Sequence, residues 1–247
     1  MVHFSHAVGP RPSARERRRA DATERIVDAA EARVLGGGVE ALTMHGLARD
    51  LGYTVGALYR YFPSKEAVVL AVVARALDVL HADLVRSTAR ADAHLLRAPG
   101  LEPEDAALLR LRVALACYER FARRRPEPFR LLSRWLADTR EVGPDSVEAL
   151  VTPSLLAPTR HLRGLLEAAG AVGALQRGDA RRRAVIAWGA LHGVMQMHRF
   201  GRLGVPDFAA TPLTPALVES LLVAWGADPA RLAALTRHVQ RVARSAD

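Results

Sequence analysis

Apolar side chains recur along this chain at intervals of three and four, and an alternating, strand-like pattern persists nowhere. The first periodic run follows a basic stretch, Arg15 and Arg17–Arg19. It places Ile26, Val27, Ala30 and Val34 on one helical face, and Gly36–Gly38 is expected to stop it. Two short helices are predicted next. Thr43 is suited to cap MHGLARDL, which Gly52 ends after Leu51. Thr54 is suited to cap VGALYRYF, which Pro63 closes. Ser64 then opens a long apolar-striped segment, expected over 65–87.

Beyond it the pattern predicts helices over Glu102–Arg124, Glu127–Asp138, Pro153–Ala169, Asp179–Leu203, Thr214–Trp225 and Pro229–Ala243. Their connectors, LLRAPGLEP, DTREVGPDSVEALVTP and FGRLGVPDFAATPLTP, read as loops by proline and glycine content. The expected fold class is all-α, without internal repeats. Residues 1–12 read as a disordered lead-in, 13–63 as a compact three-helix unit, and 64–247 as a larger helical domain entered through the long fourth helix.

Composition sharpens this picture in two ways. Of 247 residues half are apolar but only 5% aromatic, which favours helix over sheet. The formal net charge of +9 suits an anionic partner. The single cysteine, Cys117, lies in a helical apolar pattern and is expected as a small buried hydrophobe. The N-terminal MVHFSHAVGP lacks the apolar stretch of a signal peptide, and the longest apolar run is far short of a bilayer span, so a cytoplasmic protein is expected.

Candidate chemistry is concentrated in Leu51–Glu66, LGYTVGALYRYFPSKE, which holds three of the four tyrosines and the only lysine. Two short helices joined at Gly52 make a helix-turn-helix, whose second helix enters the major groove while the first crosses the backbone. Leu58 and Phe62 form an i,i+4 pair facing inward. Val55, Gly56, Ala57, Tyr59, Arg60 and Tyr61 remain on the outward arc. Gly56 costs a helix about 1 kcal/mol relative to alanine, and a bare backbone there permits close approach of another surface. Tyr59 and Tyr61 offer hydroxyl donors for phosphate oxygens, and Lys65 adds an ammonium at a helix start. Tyr53 reads instead as a packing residue.

These residues carry a resemblance. The run TMHGLARDLGYTVGALYRYFPSKEAVVL, Thr43–Leu70, is similar to the DNA-binding signature of the TetR family of bacterial transcriptional regulators, matching at Ala48, Gly52, Thr54, Leu58, Tyr59, Tyr61, Phe62, Ser64, Lys65 and Glu66. The resemblance implies that Thr43 and His45 open the helix that touches phosphates. It implies that Thr54, Val55, Gly56 and Ala57 face the groove, and that Tyr59, Tyr61 and Lys65 take phosphates. Arg17, Arg18 and Arg19 resemble a basic arm laid along the duplex. Val55 and Ala57 can meet thymine methyls, which leaves polar readout to Arg60, His45 or Arg49.

The resemblance further implies a dimer on an inverted-repeat operator, acting as a repressor that a small-molecule effector releases. Trp188, His192 and Gly193 resemble the Trp-x-x-x-His-Gly pattern of one subgroup. Ala187, Gly189, Ala190, Gly193, Met195 and Met197 are small or flexible and suit a two-fold helix seam. Candidate effector contacts are Tyr118, Phe121, Trp135, His192 and Met195. No metal or cofactor is expected, since His192 and His198 fall on different helix faces and no zinc spacing is completed. Two rivals are an enzyme, for which no catalytic spacing is present, and a non-specific basic coat. The coat would show continuous positive charge, yet Glu16, Asp21, Glu24, Asp28 and Glu31 interleave with the arginines.

Overall fold

The structure, a computed structural model, describes residues 13–98, 100–137, 149, 151–201 and 210–244. The lead-in over 1–12 and most of the connectors over 138–153 and 200–215 lie outside them. Ten α-helices and no strand occur among the described residues. They are α1 (Ala14–Ala41), α2 (Met44–Leu51), α3 (Val55–Tyr59), α4 (Lys65–Leu95), α5 (Pro103–Arg124), α6 (Pro126–Leu136), α7 (Thr152–Ala171), α8 (Ala180–Gly201), α9 (Ala210–Ala224) and α10 (Pro229–Arg244). The chain divides into two compact units, Met1–Val72 and Val73–Asp247, and the division falls within α4.

In the first unit, α1 opens on a capping box. The Ser13 hydroxyl accepts from Glu16 N, and the Glu16 carboxylate accepts from Ser13 N. Ile26, Val27, Ala30 and Val34 are buried as the periodicity predicts, with Leu42, Leu47, Ala48 and Leu58 closing the core. The stop at the glycines is later than expected. Helix continues through Gly36 and Gly37, and the break falls at Gly38, whose φ of 72 with ψ near −179 is open only to glycine. One further turn brings the chain to Ala41. Across α1 and α2, Arg33 Nε donates to Asp50 Oδ2 at 2.6 Å and Arg33 Nη1 to Ala41 O at 3.2 Å.

α4 runs eight residues beyond the predicted end at Ser87. Ser87 and Thr88 are buried, and Thr88 Oγ1 donates to Leu84 O at 2.8 Å, so hydroxyls that resemble a break are satisfied inside the helix. In the second unit α5 is the central helix, with α6, α7, α8, α9 and α10 packed against it. Leu108, Leu109, Leu111, Phe121, Leu222 and Leu232 are essentially fully buried there, as is Cys117. Each large side chain of this kind contributes about 2 kcal/mol by leaving water. α9 also starts earlier than its prolines predict. Pro212 falls in the first turn, where backbone N–H groups have no intrahelical partner, and only Pro215 removes a bond from the ladder.

Candidate nucleic-acid interface

The helix-turn-helix is built by local hydrogen bonds that the sequence requires. Thr43 Oγ1 accepts from Gly46 N and Thr54 Oγ1 from Ala57 N, each at 3.1 Å, and Ser64 Oγ accepts from Ala67 N at 3.1 Å. A capping hydroxyl uses one acceptor site and keeps its own O–H, so exposed Thr43 and Thr54 retain a donor at the surface. Gly52 takes the left-handed conformation, φ 66 and ψ 28, which turns the chain sharply after α2 and lets Tyr53 N donate to Ala48 O at 2.9 Å.

The second helix is shorter than VGALYRYF. It ends at Tyr59, because Arg60 N and Tyr61 N bond to carbonyls three residues back, on Ala57 and Leu58. Burial of Phe62 beneath Leu58, followed by Pro63, tightens this exit. Tyr59 is 47% exposed, Arg60 is exposed, and Tyr61 and Lys65 are half-buried. Val55 and Ala57 are half-buried and Gly56 is exposed, and a Cβ placed on Gly56 would meet nothing within 4 Å. The fold therefore makes no demand for a bare residue at that position.

Tyr53 packs as expected, its ring stacked on that of Tyr61 with centroids 6.4 Å apart and planes 14° from parallel. The sequence did not reveal what holds this pair. Arg19 lies over the Tyr61 ring at 5.6 Å and donates to Arg60 O at 3.3 Å. Arg25 lies over the Tyr53 ring at 5.9 Å and donates to the Tyr53 hydroxyl at 2.6 Å. Each cation–π contact contributes about 0.5–1 kcal/mol at an exposed site. Arg17, Arg18 and Arg19 are exposed and lie in the first turns of α1 rather than on an extended arm. His45 and Arg49 are exposed on α2. The first unit thus carries guanidiniums, an ammonium, phenols and two threonine hydroxyls around a bare helix start, a donor set chemically suited to phosphate oxygens.

In the second unit, Tyr118, Phe121, His192 and Met195 are all buried, and Trp135 is half-buried on α6. Tyr118 O–H lies 2.6 Å from His192 Nδ1, and the Gln196 amide lies 2.9 Å from His192 Nε2. Phe121 and Phe129 flank the phenol with ring centroids 6.5 and 6.1 Å away, and Phe129 also packs 5.3 Å from the imidazole. No ring contact among the described residues joins Trp135 to this cluster. Burial lowers the His192 pKa to about 4, so the ring is neutral; its Nε2 accepts from the Gln196 amide N–H, which leaves the proton on Nδ1 to be donated to the Tyr118 oxygen. Burial pushes the Tyr118 phenol well up, partly offset by the neighbouring Trp188 indole. Trp188 Nε1 is itself buried and approaches the Tyr118 oxygen, but among the described residues it makes no hydrogen bond of ordinary geometry. It lines a small apolar cavity of about 30 Å³ with Leu80, Leu84, Tyr118, Leu162 and Leu191. Phe129 and Gln196 are thus added to the residues the sequence singled out, and Trp188, named there for its pattern, joins the effector candidates.

Residues 26–72 match the family of bacterial regulatory proteins named for TetR, and residues 111–224 match the tetracyclin repressor-like C-terminal domain. Both halves of one architecture are present in order. The chain belongs to the TetR family. Over 55 residues it is 42% identical to the HTH-type transcriptional repressor KstR of Rhodococcus jostii RHA1, a match spanning 22% of this chain and 26% of that repressor. A TetR-family regulatory protein from Rhodococcus RHA1 shares the fold, with a TM-score of 0.56 and 19% identity over 84% of this chain and 98% of the other. The regulator FadR of Bacillus subtilis, solved in complex with stearoyl-CoA, superposes with a TM-score of 0.54 and 16% identity over 81% and 97% of the two chains.

Within this TetR-family chain, the first match contains α2, α3 and the start of α4, and so the whole surface from Thr43 to Lys65. Arg17–Arg19 and Arg25 precede it. The second match contains Tyr118, Phe121, Trp135, Trp188, His192 and Met195. No helix among the described residues is long and apolar enough to cross a membrane.

Proposed function

We propose that this TetR-family protein is a cytoplasmic, dimeric repressor that binds an inverted-repeat operator in double-stranded DNA and is released from it by a small-molecule effector. The observation that carries the reading is the surface of the first unit. Its caps and its Arg19–Tyr61–Tyr53–Arg25 stack pre-set phosphate donors around the start of α3. In this reading Thr43, His45, Tyr59, Tyr61, Lys65 and Arg17–Arg19 take the backbone. Thr54, Val55, Gly56 and Ala57 face the groove, and Arg60 reaches for base edges or phosphate.

Dimerisation is supported by one face of α8. Ile186, Gly189, Gly193, Met197 and Phe200 follow each other at three- and four-residue intervals and are exposed, and a Cβ on either glycine would meet nothing within 4 Å. Apolar and bare, this face suits a second copy of the helix. Ala187 and Met195 belong to the core instead. The effector reading is supported by the buried, poorly satisfied Trp188 N–H and by the Tyr118–His192–Gln196 chain beside an apolar cavity. A ligand carrying an acceptor on an apolar body would satisfy that donor, with Phe121, Met195 and Trp135 as further contacts.

The deciding experiment is selection of random DNA fragments by the purified protein at near-physiological salt, followed by sequencing. Recovery of one inverted repeat is the expected result. Uniform recovery that collapses with added salt would refute sequence-specific regulation and leave only backbone binding.

A further inference from the structure

A second concavity lies between α4 and α5, away from the apolar cavity, and its chemistry is opposite. It encloses about 310 Å³ and is lined by Arg86 and Arg90 of α4, Arg120 and Arg124 of α5, Arg125 at the end of α5, and one carboxylate, Asp83. Arg86/Arg90 and Arg120/Arg124 are each four residues apart on their helices, so two arginine ladders face one another. Like charges at this spacing weaken a helix rather than support it. The basic end of α5 favours the helix dipole, which accounts for Arg124 and Arg125 but not for Arg86, Arg90 or Arg120.

The internal pairings leave the charge uneven. Asp83 accepts from Arg86 and lies 3.7 Å from Arg125 Nε, so it is shared by two guanidiniums. Arg120 Nη2 donates to Ser87 Oγ at 3.1 Å, a neutral partner that leaves its charge uncompensated. Among the described residues, no carboxylate other than Asp83 lines the space. Phe121 and Cys117, both buried, form an apolar floor beneath the guanidiniums.

We propose that this pocket binds a small phosphorylated metabolite carrying a diphosphate or an equivalent pair of phosphates. Guanidinium forks match phosphate oxygens bidentately, and Arg90 and Arg120 approach from different helices, so one anion can bridge them. A terminal phosphate carries close to two negative charges at neutral pH. A diphosphate therefore balances the excess of arginine in a compact volume, as isolated carboxylates do not. The space holds roughly ten waters at about 30 Å³ each, more than one inorganic phosphate fills, which leaves room for an organic body against Phe121. This site shares only Phe121 with the effector contacts proposed above and does not depend on that reading.

The test is calorimetric titration of the full-length protein, free of DNA and at fixed ionic strength, with inorganic pyrophosphate, ADP and citrate. The expected result is saturable binding of pyrophosphate and ADP to one site per chain, with citrate clearly weaker. Arg90→Gln and Arg120→Gln each should weaken it by roughly tenfold or more, the scale of a lost charge-assisted hydrogen bond. Arg181→Gln/Arg182→Gln, which removes two exposed arginines of α8 outside the pocket, should leave it unchanged. Pyrophosphate should raise the melting temperature of the parent but not of Arg90→Gln, and that variant should melt no lower than the ligand-free parent because a crowded charge is gone. Absence of saturable binding overturns the proposal. So does equal loss in the α8 variant, which would assign the effect to overall charge. Citrate binding as tightly as pyrophosphate would overturn the phosphate assignment.

Discussion

Replacing Gly56 by alanine separates what the fold needs from what a bound duplex needs. The position is helical, its φ is ordinary, and an added Cβ meets nothing within 4 Å, so the substitution introduces no internal clash. Alanine relieves the entropic cost of glycine in a helix, about 1 kcal/mol in an interior and nearer 0.5 kcal/mol at the second residue of a five-residue helix. For a unit of this size that corresponds to a rise in melting temperature of about 2–4 °C if the unit melts by itself. Binding should move the opposite way. A methyl group projects about 1.5 Å from the backbone, and a duplex in van der Waals contact with a bare helix must withdraw by a similar distance. That stretches the phosphate contacts proposed for Tyr59, Tyr61 and Lys65 past hydrogen-bonding range. Losing roughly 1.4 kcal/mol per head is tenfold in affinity, and two heads on one operator give about a hundredfold. Fluorescence anisotropy on the selected operator, alongside thermal melts, reads both quantities. A variant that is more stable and binds as tightly as the parent would refute the close-approach argument.

Three further outcomes follow from the same structure. Gly52→Ala forces a side chain into the left-handed region that ends α2, and should destabilise the first unit by about 1–2 kcal/mol, measured by chemical denaturation. His192 is held neutral by burial, its pKa depressed to about 4. Its contribution to stability is therefore complete above the unfolded value of about 6.5 and is lost as pH falls through 4, amounting to at most on the order of 3 kcal/mol. Denaturation midpoints measured from pH 7.5 down to pH 4 should fall less steeply in His192→Gln than in the parent; parallel slopes would exclude this histidine as the cause. Ile186→Arg places a charge on the exposed apolar face of α8, and should convert dimer to monomer in sedimentation equilibrium while leaving the monomer folded.

How far the sequence could be read depended on the range of the interactions involved. Thr43, Gly52, Thr54 and Ser64 were legible because a cap is a contact between residues two to four apart, and each fell where composition placed it. The length of α3 was not, since its exit is tightened by the buried Phe62 and by Pro63 rather than by any helix-stopping residue at Arg60. The end of α4 was hidden for a related reason: Thr88 looks like a breaker until its hydroxyl is seen bonded to Leu84 O. Arg25 on Tyr53 and the facing arginines of α4 and α5 pair residues about 30 apart in the chain, and periodicity carries no record of such partners. Tyr118 and His192 were named for their chemistry, but their 2.6 Å hydrogen bond spans 74 residues and needed the fold.

The stacking of Arg19 on Tyr61 and Arg25 on Tyr53 has a consequence for which changes α1 can accept. Arg19 stands three residues ahead of buried Ala22, and Arg25 immediately precedes buried Ile26, so the rotational phase of one helix sets both the core and the position of the two cations. Exposed side chains of α1 that belong to neither set tolerate exchange. A single inserted or deleted residue between Arg19 and Ala22 cannot be tolerated in the same way, because it turns everything before it by about 100° around the helix axis. Arg19 would leave the tyrosine while the core stayed intact. The spacing of this helix, more than its composition, is therefore the inheritable quantity, and related chains that keep the stacked pair should differ here by substitution and not in length.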